Sequence, residues 1–249
     1  MFESAKSFFE TFSHDYLAKE KDKYLFQVKY NHTYQVVEYT KELVESLGWD
    51  SKKQELAFTI AIFHDLGRFV QAKQFKRFHD AQDSFDHAKE SVQILKRQDW
   101  FFQNNISKED EDIICFAIYH HNKLSLPEEE TLRMEAAKLL RDTDKLANLK
   151  SVSCTHDVET NPAEKKILPE NLELYFHNQC IPKKNQVSAL DHVLLQICFL
   201  YDFNYKESVR LCMEEHLFEP YFAFLEKYLE ESLYLKIKKH FEEYVATIS

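Results

Sequence analysis

Two glycines in 249 residues are too few to build any glycine-rich phosphate loop. Gly48 and Gly67 supply neither the GxGxxG turn of a dinucleotide fold nor a Walker loop. Each follows a helical pattern, where a helix end favours a residue that tolerates positive φ, so both are expected to terminate helices. With five prolines as the other breakers, helix is favoured throughout. The five cysteines are odd in number, lie at scattered spacings and include no CxxC pair. They suit reduced thiols in a cytoplasm better than a disulfide framework. Positive charge is also short, with 32 Lys and Arg against 42 Asp and Glu and a formal charge of −10. A protein that grips duplex nucleic acid through its phosphates needs a basic excess or a basic stripe, and neither is present. A small phosphate ester stays open as a partner, because a metal ion can supply positive charge locally. No apolar run approaches the length of a bilayer span, so no membrane partner is expected. The first residues show no basic cluster followed by an apolar stretch, so no signal peptide is expected either.

What the chain does have is apolar residues at helical spacing. Residues 2–20 read as a short helix. From Gln27 to Leu47 the apolar positions Val28, Val36, Tyr39, Leu43 and Leu47 mark an amphipathic helix closed by Gly48. A second run, Lys52 to Leu66, is apolar on most sides, as a central helix is. Further helices are expected from Phe85 to Lys96 with Asp83-Ser84 as cap, and from Ser107 to about His121 behind a capping box. Another is expected from Glu128 to Leu149, after Pro127. Between Ser151 and Val187 the periodicity fades around Pro162, Pro169 and Pro182, leaving an irregular lid or surface loop. Helical patterns return from Ser188 to the end. The expectation is all-α: a single domain over 1–249, with its motif-bearing core at about 25–150 and C-terminal helices at 188–249.

Metal-ligating residue types sit where this pattern asks for apolar ones. His32 shares the buried stripe of Val36 and Leu43. His64 and Asp65 close the central helix and can reach one ion from its end, since Gly67 is expected to stop the helix there. In Arg141-Asp142-Thr143-Asp144-Lys145, Asp142 aligns with Glu135, Lys138 and Lys145 on a charged outer face. Asp144 aligns with Ala137, Leu140 and Ala147 on the inner one. An ionised carboxylate facing a core needs a cation or a set of donors, so Asp144 is the expected ligand and Asp142 the solvated residue. His-Asp pairs also occur at 79–80 and 156–157. What carries information is the order: a His, then His-Asp, then an inner-face Asp, on three separate helices.

That order resembles the HD superfamily of metal-dependent phosphohydrolases. The match is carried by His32, by Ala61-Ile62-Phe63-His64-Asp65-Leu66-Gly67-Arg68 and by Leu140-Arg141-Asp142-Thr143-Asp144-Lys145-Leu146. The resemblance implies an HD-like helical bundle in which His32, His64, Asp65 and Asp144 hold one divalent or iron-type ion. Arg68 stands where many members have Lys, which keeps the charge but offers a planar fork. Additional histidines at Asp86-His87-Ala88 and at Tyr119-His120-His121-Asn122 resemble those of members that hold two metals. They make His87 and His121, with His120 second, the further metal candidates. Mixed imidazole and carboxylate donors suit Mn, Fe, Co or Zn, with Mg possible, as one or two ions.

The implied activity is hydrolysis of a nucleotide or small phosphorylated metabolite. Asp65 is a candidate to orient the attacking water, and Arg68, Lys123 and Lys145 are candidates to contact phosphate oxygens. Two rivals remain on the same scaffold: a two-iron oxygenase, and a non-catalytic nucleotide- or metal-binding module. The HD-GYP branch is disfavoured, because Asn122-Lys123-Leu124 follows His121 with no Gly-Tyr-Pro segment. The oligomeric state is not encoded in these patterns.

Overall fold

The computed structural model describes residues 1–20, 23–78, 80, 84–128, 131–151 and 165–248. Among them there is helix and no strand, as the shortage of glycine and proline implies. Two compact units emerge, Met1–Ala147 and Asn148–Ser249. No helix among the described residues is long and apolar enough to cross a membrane.

The first unit is built on α1 (Phe2–Lys19), α2 (Tyr24–Ser46) and α3 (Ser51–Phe63). Helix α1 buries Ala5, Phe9 and Ser13, one residue per turn, against α2 and α3. Helix α2 turns a stripe from Phe26 through His32, Val36 and Tyr39 to Leu43 inward. Asp50 caps α3 by accepting from the Lys53 amide at 3.0 Å. From Leu56 to Phe63 the helix is buried on nearly every side, as its composition predicts.

Helix α3 stops at His64, but Gly67 is not the reason. A turn at His64 and Asp65 redirects the chain, and a helix not legible in the sequence, α4 (Leu66–Phe75), begins at once with Gly67 inside it. Gly67 serves close approach instead: a Cβ there would stand 2.2 Å from the carbonyl oxygen of His87. Gly48 does take the expected left-handed conformation, with φ of +66°. Aromatic rings tie α4 to its neighbours, Phe69 meeting Phe9, Phe12 and Phe26 at centroid distances of 6.0, 5.9 and 6.2 Å.

Three further helices follow, α5 (His87–Arg97), α6 (Trp100–Gln103) and α7 (Lys108–His120). Helix α5 packs on both α4 and α7. Its cap is Asp86, which accepts from the Lys89 amide at 3.1 Å. This replaces the expected Asp83-Ser84 pair, of which Asp83 lies outside the described residues. Ser107 caps α7 as the capping pattern implies, accepting from the Asp110 amide at 3.1 Å. Helix α8 (Leu132–Lys150) ends the first unit and enters the second.

The second unit continues with α9 (Pro169–Phe176), α10 (Ala189–Ile197), α11 (Lys206–Glu214), α12 (Glu219–Tyr228) and α13 (Glu231–Ile248). The expectation of an irregular 151–187 is corrected at α9. Pro169 does not break structure but opens a helix from its first turn, where a missing N–H is no loss. Tyr175 of α9 is buried and donates to the carbonyl of Ile237 in α13 at 2.8 Å. A 3-10 turn at Lys183–Asn185 follows, and residues 152–164 lie outside the described residues. Phe218 and Phe222 close on Phe241 at 5.0 and 4.8 Å.

Candidate metal centre

Four imidazoles and two carboxylates converge inside the first unit. One group is His32, His64 and Asp144, the other Asp65, His87 and His121, with the ligand atoms of each within 4.8 Å of one another. They arrive from α2, from the α3–α4 turn, from the start of α5, from the end of α7 and from α8. The turn at His64 and Asp65 lets two consecutive side chains enter one centre.

Asp65 lies between the groups and turns a different oxygen to each. Its Oδ2 is 3.7 Å from His32 Nε2 and 3.5 Å from His64 Nε2. Its Oδ1 is 3.5 Å from His87 Nε2 and 3.9 Å from His121 Nε2. Asp144 Oδ1 completes the first group, 3.0 Å from His32 Nε2 and 3.9 Å from His64 Nε2.

Hydrogen bonds fix which nitrogen of three rings carries the proton. His64 Nδ1 donates to the carbonyl of Ala61 at 2.7 Å, and His121 Nδ1 to that of Ile118 at 2.6 Å. A carbonyl can only accept, so each Nδ1 bears hydrogen and each Nε2 a lone pair. His87 Nδ1 meets the Asp80 carboxylate at 2.5 Å, which sets the same tautomer.

The chemistry that results fits a cation. Nε2 of His64 is buried and has no hydrogen-bond partner, a costly state for a polar atom. His87 Nε2 and His121 Nε2 face one another at 3.1 Å with both ring protons committed elsewhere. Two lone pairs at that separation repel, unless something positive lies between them. Two nitrogens bound to one ion at about 2.1 Å each stand roughly 3 Å apart when they subtend a right angle.

Electrostatics keep the donors in ligating form. Burial, with the charge of Arg68, pushes His87 down to about 4, and burial with the neighbouring imidazoles pushes His121 down to about 3. Burial, then Lys29, lowers His32 too. Burial works against the Asp65 charge, but the Lys29 ammonium and the imidazoles outweigh it and hold that carboxyl well below its usual range. Burial likewise opposes ionisation of Asp144, and the His32 hydrogen bond together with the charges of His32, His64 and His121 outweighs it. His64 runs the other way. Burial opposes its charge, yet Asp65 and Asp144 outweigh burial and raise it.

The structure thus gathers His32, His64, Asp65, Asp144, His87 and His121. It places His120 elsewhere: that ring lies on Phe116 at 4.3 Å and against Tyr119 at 5.0 Å, outside both groups. Asp142 was expected to be solvated and is fully buried, whereas the Asp144 side chain keeps 23% exposure. Helix α8 is buried almost all round from Leu139 to Ala147, so the charged face on which Asp142 was placed is not a solvent face. Arg68 abuts the centre with Nε 3.8 Å from Asp65 Oδ1. Lys123 pairs with Asp86, and Lys145 reaches the Arg141 carbonyl at 3.4 Å.

Two residues of the site escaped the sequence reading. Lys29 donates to Asp65 Oδ2 at 2.8 Å; its signal was a lysine one helical turn before His32, on the same face. Asp80 binds His87 and Arg68. It belongs to a His-Asp pair given no weight, because no apolar periodicity surrounds it. Its neighbour His79 lies outside the described residues, as do His156 and Asp157.

A helical bundle with this centre offers two donor groups that could each hold a metal ion. Residues 30–149 match the family model of the HD domain, and the helical bundle with its buried histidines and aspartates is consistent with that superfamily, composed mostly of metal-dependent hydrolases. The matched span contains all six gathered side chains. Comparison with curated proteins and with solved structures finds no match.

Proposed function

We propose that the chain is a two-ion phosphohydrolase acting on a small phosphate ester, a nucleotide or phosphorylated metabolite. The observation that carries this reading is Asp65, whose two oxygens serve two separate donor groups. His32, His64, Asp144 and Asp65 would hold one ion, and Asp65, His87 and His121 the other. The imidazole-rich donor set favours Mn, Fe, Co or Zn. When bound, such ions supply Lewis acidity and a nucleophile at neutral pH.

The chain's own residues do the rest. Asp65 keeps the two donor groups at a fixed spacing. Lys29 and Arg68 place positive charge on either side of it, where a substrate's phosphoryl oxygens would need it. Phe78 lies against both cations, at 5.4 Å from Lys29 Nζ and 5.8 Å from Arg68 Cζ, and keeps them directed. The acidic balance of the chain supports a small substrate over duplex nucleic acid.

The test is reconstitution. Protein stripped with chelator and reloaded with Mn, Fe, Co, Zn or Mg is assayed for phosphate release from phosphomonoesters and for release of the leaving alcohol from phosphodiesters, with oxygen uptake followed in parallel. Metal-dependent hydrolysis of either ester that Asp65→Ala abolishes, without loss of helical signal, is expected. Oxygen uptake without hydrolysis, or no turnover with any metal, overturns the reading.

A further inference from the structure

Asp80 accepts from four side chains, and its two oxygens divide them by role. Oδ1 takes Arg68 Nη1 at 2.8 Å and Gln71 Nε2 at 3.0 Å, both from α4. Oδ2 takes His87 Nδ1 at 2.5 Å, from the first residue of α5, and Asn122 Nδ2 at 3.5 Å, just beyond α7. Its own backbone is held as well, because its carbonyl accepts from the Phe85 amide at 3.0 Å. One carboxylate therefore meets three helical elements behind one of the two donor groups.

We infer that Asp80 is the positioning residue for the second ion and for Arg68, an assignment that rests on the two-ion reading. On Oδ2, the bond to Nδ1–H keeps hydrogen off His87 Nε2, which faces His121 Nε2 at 3.1 Å and Asp65 Oδ1 at 3.5 Å. Without that acceptor the ring is free to take the other tautomer, and Nε2 then carries hydrogen and cannot ligate. On Oδ1, the same Nη1 of Arg68 also donates to Gln71 Oε1 at 2.6 Å. That end of the guanidinium is fastened between two acceptors. Its Nε is buried without a hydrogen-bond partner, 3.8 Å from Asp65 Oδ1. Asp80 thus turns one directed N–H toward the bridging carboxylate, where a phosphoryl oxygen of the substrate would receive it.

A generic structural ion pair would influence both donor groups alike; this one touches His87 and Arg68 and none of His32, His64 or Asp144. The experiment compares full-length wild type, Asp80→Ala and Asp80→Asn, stripped and retitrated with Co(II). Ions per chain are counted by elemental analysis, stepwise affinities are read from the visible spectrum, and inorganic phosphate binding to the loaded proteins is measured by calorimetry. Wild type is expected to take two ions. Asp80→Ala should keep one at wild-type affinity and bind the other about 10- to 100-fold more weakly. Asp80→Asn retains an amide oxygen for His87 Nδ1–H, so it should recover the second ion. It loses the charge that holds Arg68, so its phosphate binding should weaken and its KM for an ester should rise more than kcat falls.

Equal affinities for both ions in wild type and Asp80→Ala overturn the inference, as does equal weakening of both. Should Asp80→Ala not fold, Asp80→Asn decides alone: phosphate binding unchanged from wild type sinks the assignment, and selective weakening with two ions bound supports it. A wild-type chain that takes up a single ion overturns the two-ion reading itself, and this inference with it.

Discussion

Gly67 and His87 meet at the crossing of α4 and α5, so closely that a Cβ on Gly67 would lie 2.2 Å from the His87 carbonyl oxygen. The Gly67 amide donates to Ser91 Oγ at 2.9 Å across the same crossing. The obstacle to a side chain is backbone, which cannot swing aside. Gly67→Ala should therefore push the start of α5 outward, costing about 1–3 kcal/mol as overpacked cores do, and weaken the ion held by His87 more than its neighbour. Thermal unfolding with and without metal checks this; a wild-type midpoint would show that the crossing has slack.

His121→Ala and Asp65→Ala should differ in how many ions they lose. His121 belongs to one donor group, while Asp65 lies beside both. Elemental analysis after desalting is expected to find one ion per chain in the first variant and neither held tightly in the second. Two ions retained by His121→Ala would remove it from the ligand set.

Lys29 and a bound ion compensate the same buried carboxylate. Without metal, the ammonium 2.8 Å from Asp65 Oδ2 is its nearest cation. Lys29→Met should then lower the stability of chelator-treated protein by about 3–5 kcal/mol, the range for breaking a buried pair. The loaded protein should lose less, so the gap in Tm between the two forms widens. An equal loss in both forms would show that Lys29 acts through packing.

Acid should weaken the metal-free fold below pH 6.5. The folded pKa values of His87 and His121 lie near 4 and 3, against about 6.5 in the unfolded chain. Across that window the unfolded state binds more protons, so stability falls as pH falls. His32 is lowered too, and acts in the same direction. His64 is raised and opposes: its contribution is complete below its unfolded value and is lost as pH climbs through the folded one. Asp65 and Asp144, held low, add a further loss below about pH 3.9. With three imidazoles against one, the urea midpoint of chelator-treated protein should be lower at pH 5 than at pH 7.5. A midpoint that rises on acidification would mean that these imidazoles gain protons on folding, the reverse of the direction burial gives them.

Four of the gathered residues are legible in the sequence because each stands where the pattern asks for an apolar one, whereas His87 stands out only by resemblance. His32 interrupts an apolar stripe, His64 and Asp65 end a greasy helix, and Asp144 follows an apolar spacing. Asp142 was misplaced because α8 is buried nearly all round, and a helix without a wet side offers no periodicity to read. Gly67 reads as a terminator in the sequence because sequence shows which residue tolerates a conformation, not which neighbour presses on it. Asp80 has no local signal at all. Its role exists only once α4, α5 and the end of α7 are brought around it.

The donors span the chain from His32 to Asp144 and reside on five separate helical segments. No fragment of the bundle can supply either complete group, so the unfolded polypeptide has little affinity to offer. Each ion, once bound, would act as a reversible cross-link between distant parts of the chain, and its free concentration would feed directly into the folding equilibrium. Scarcity of the metal would then register as shortened lifetime of the protein as well as lost turnover.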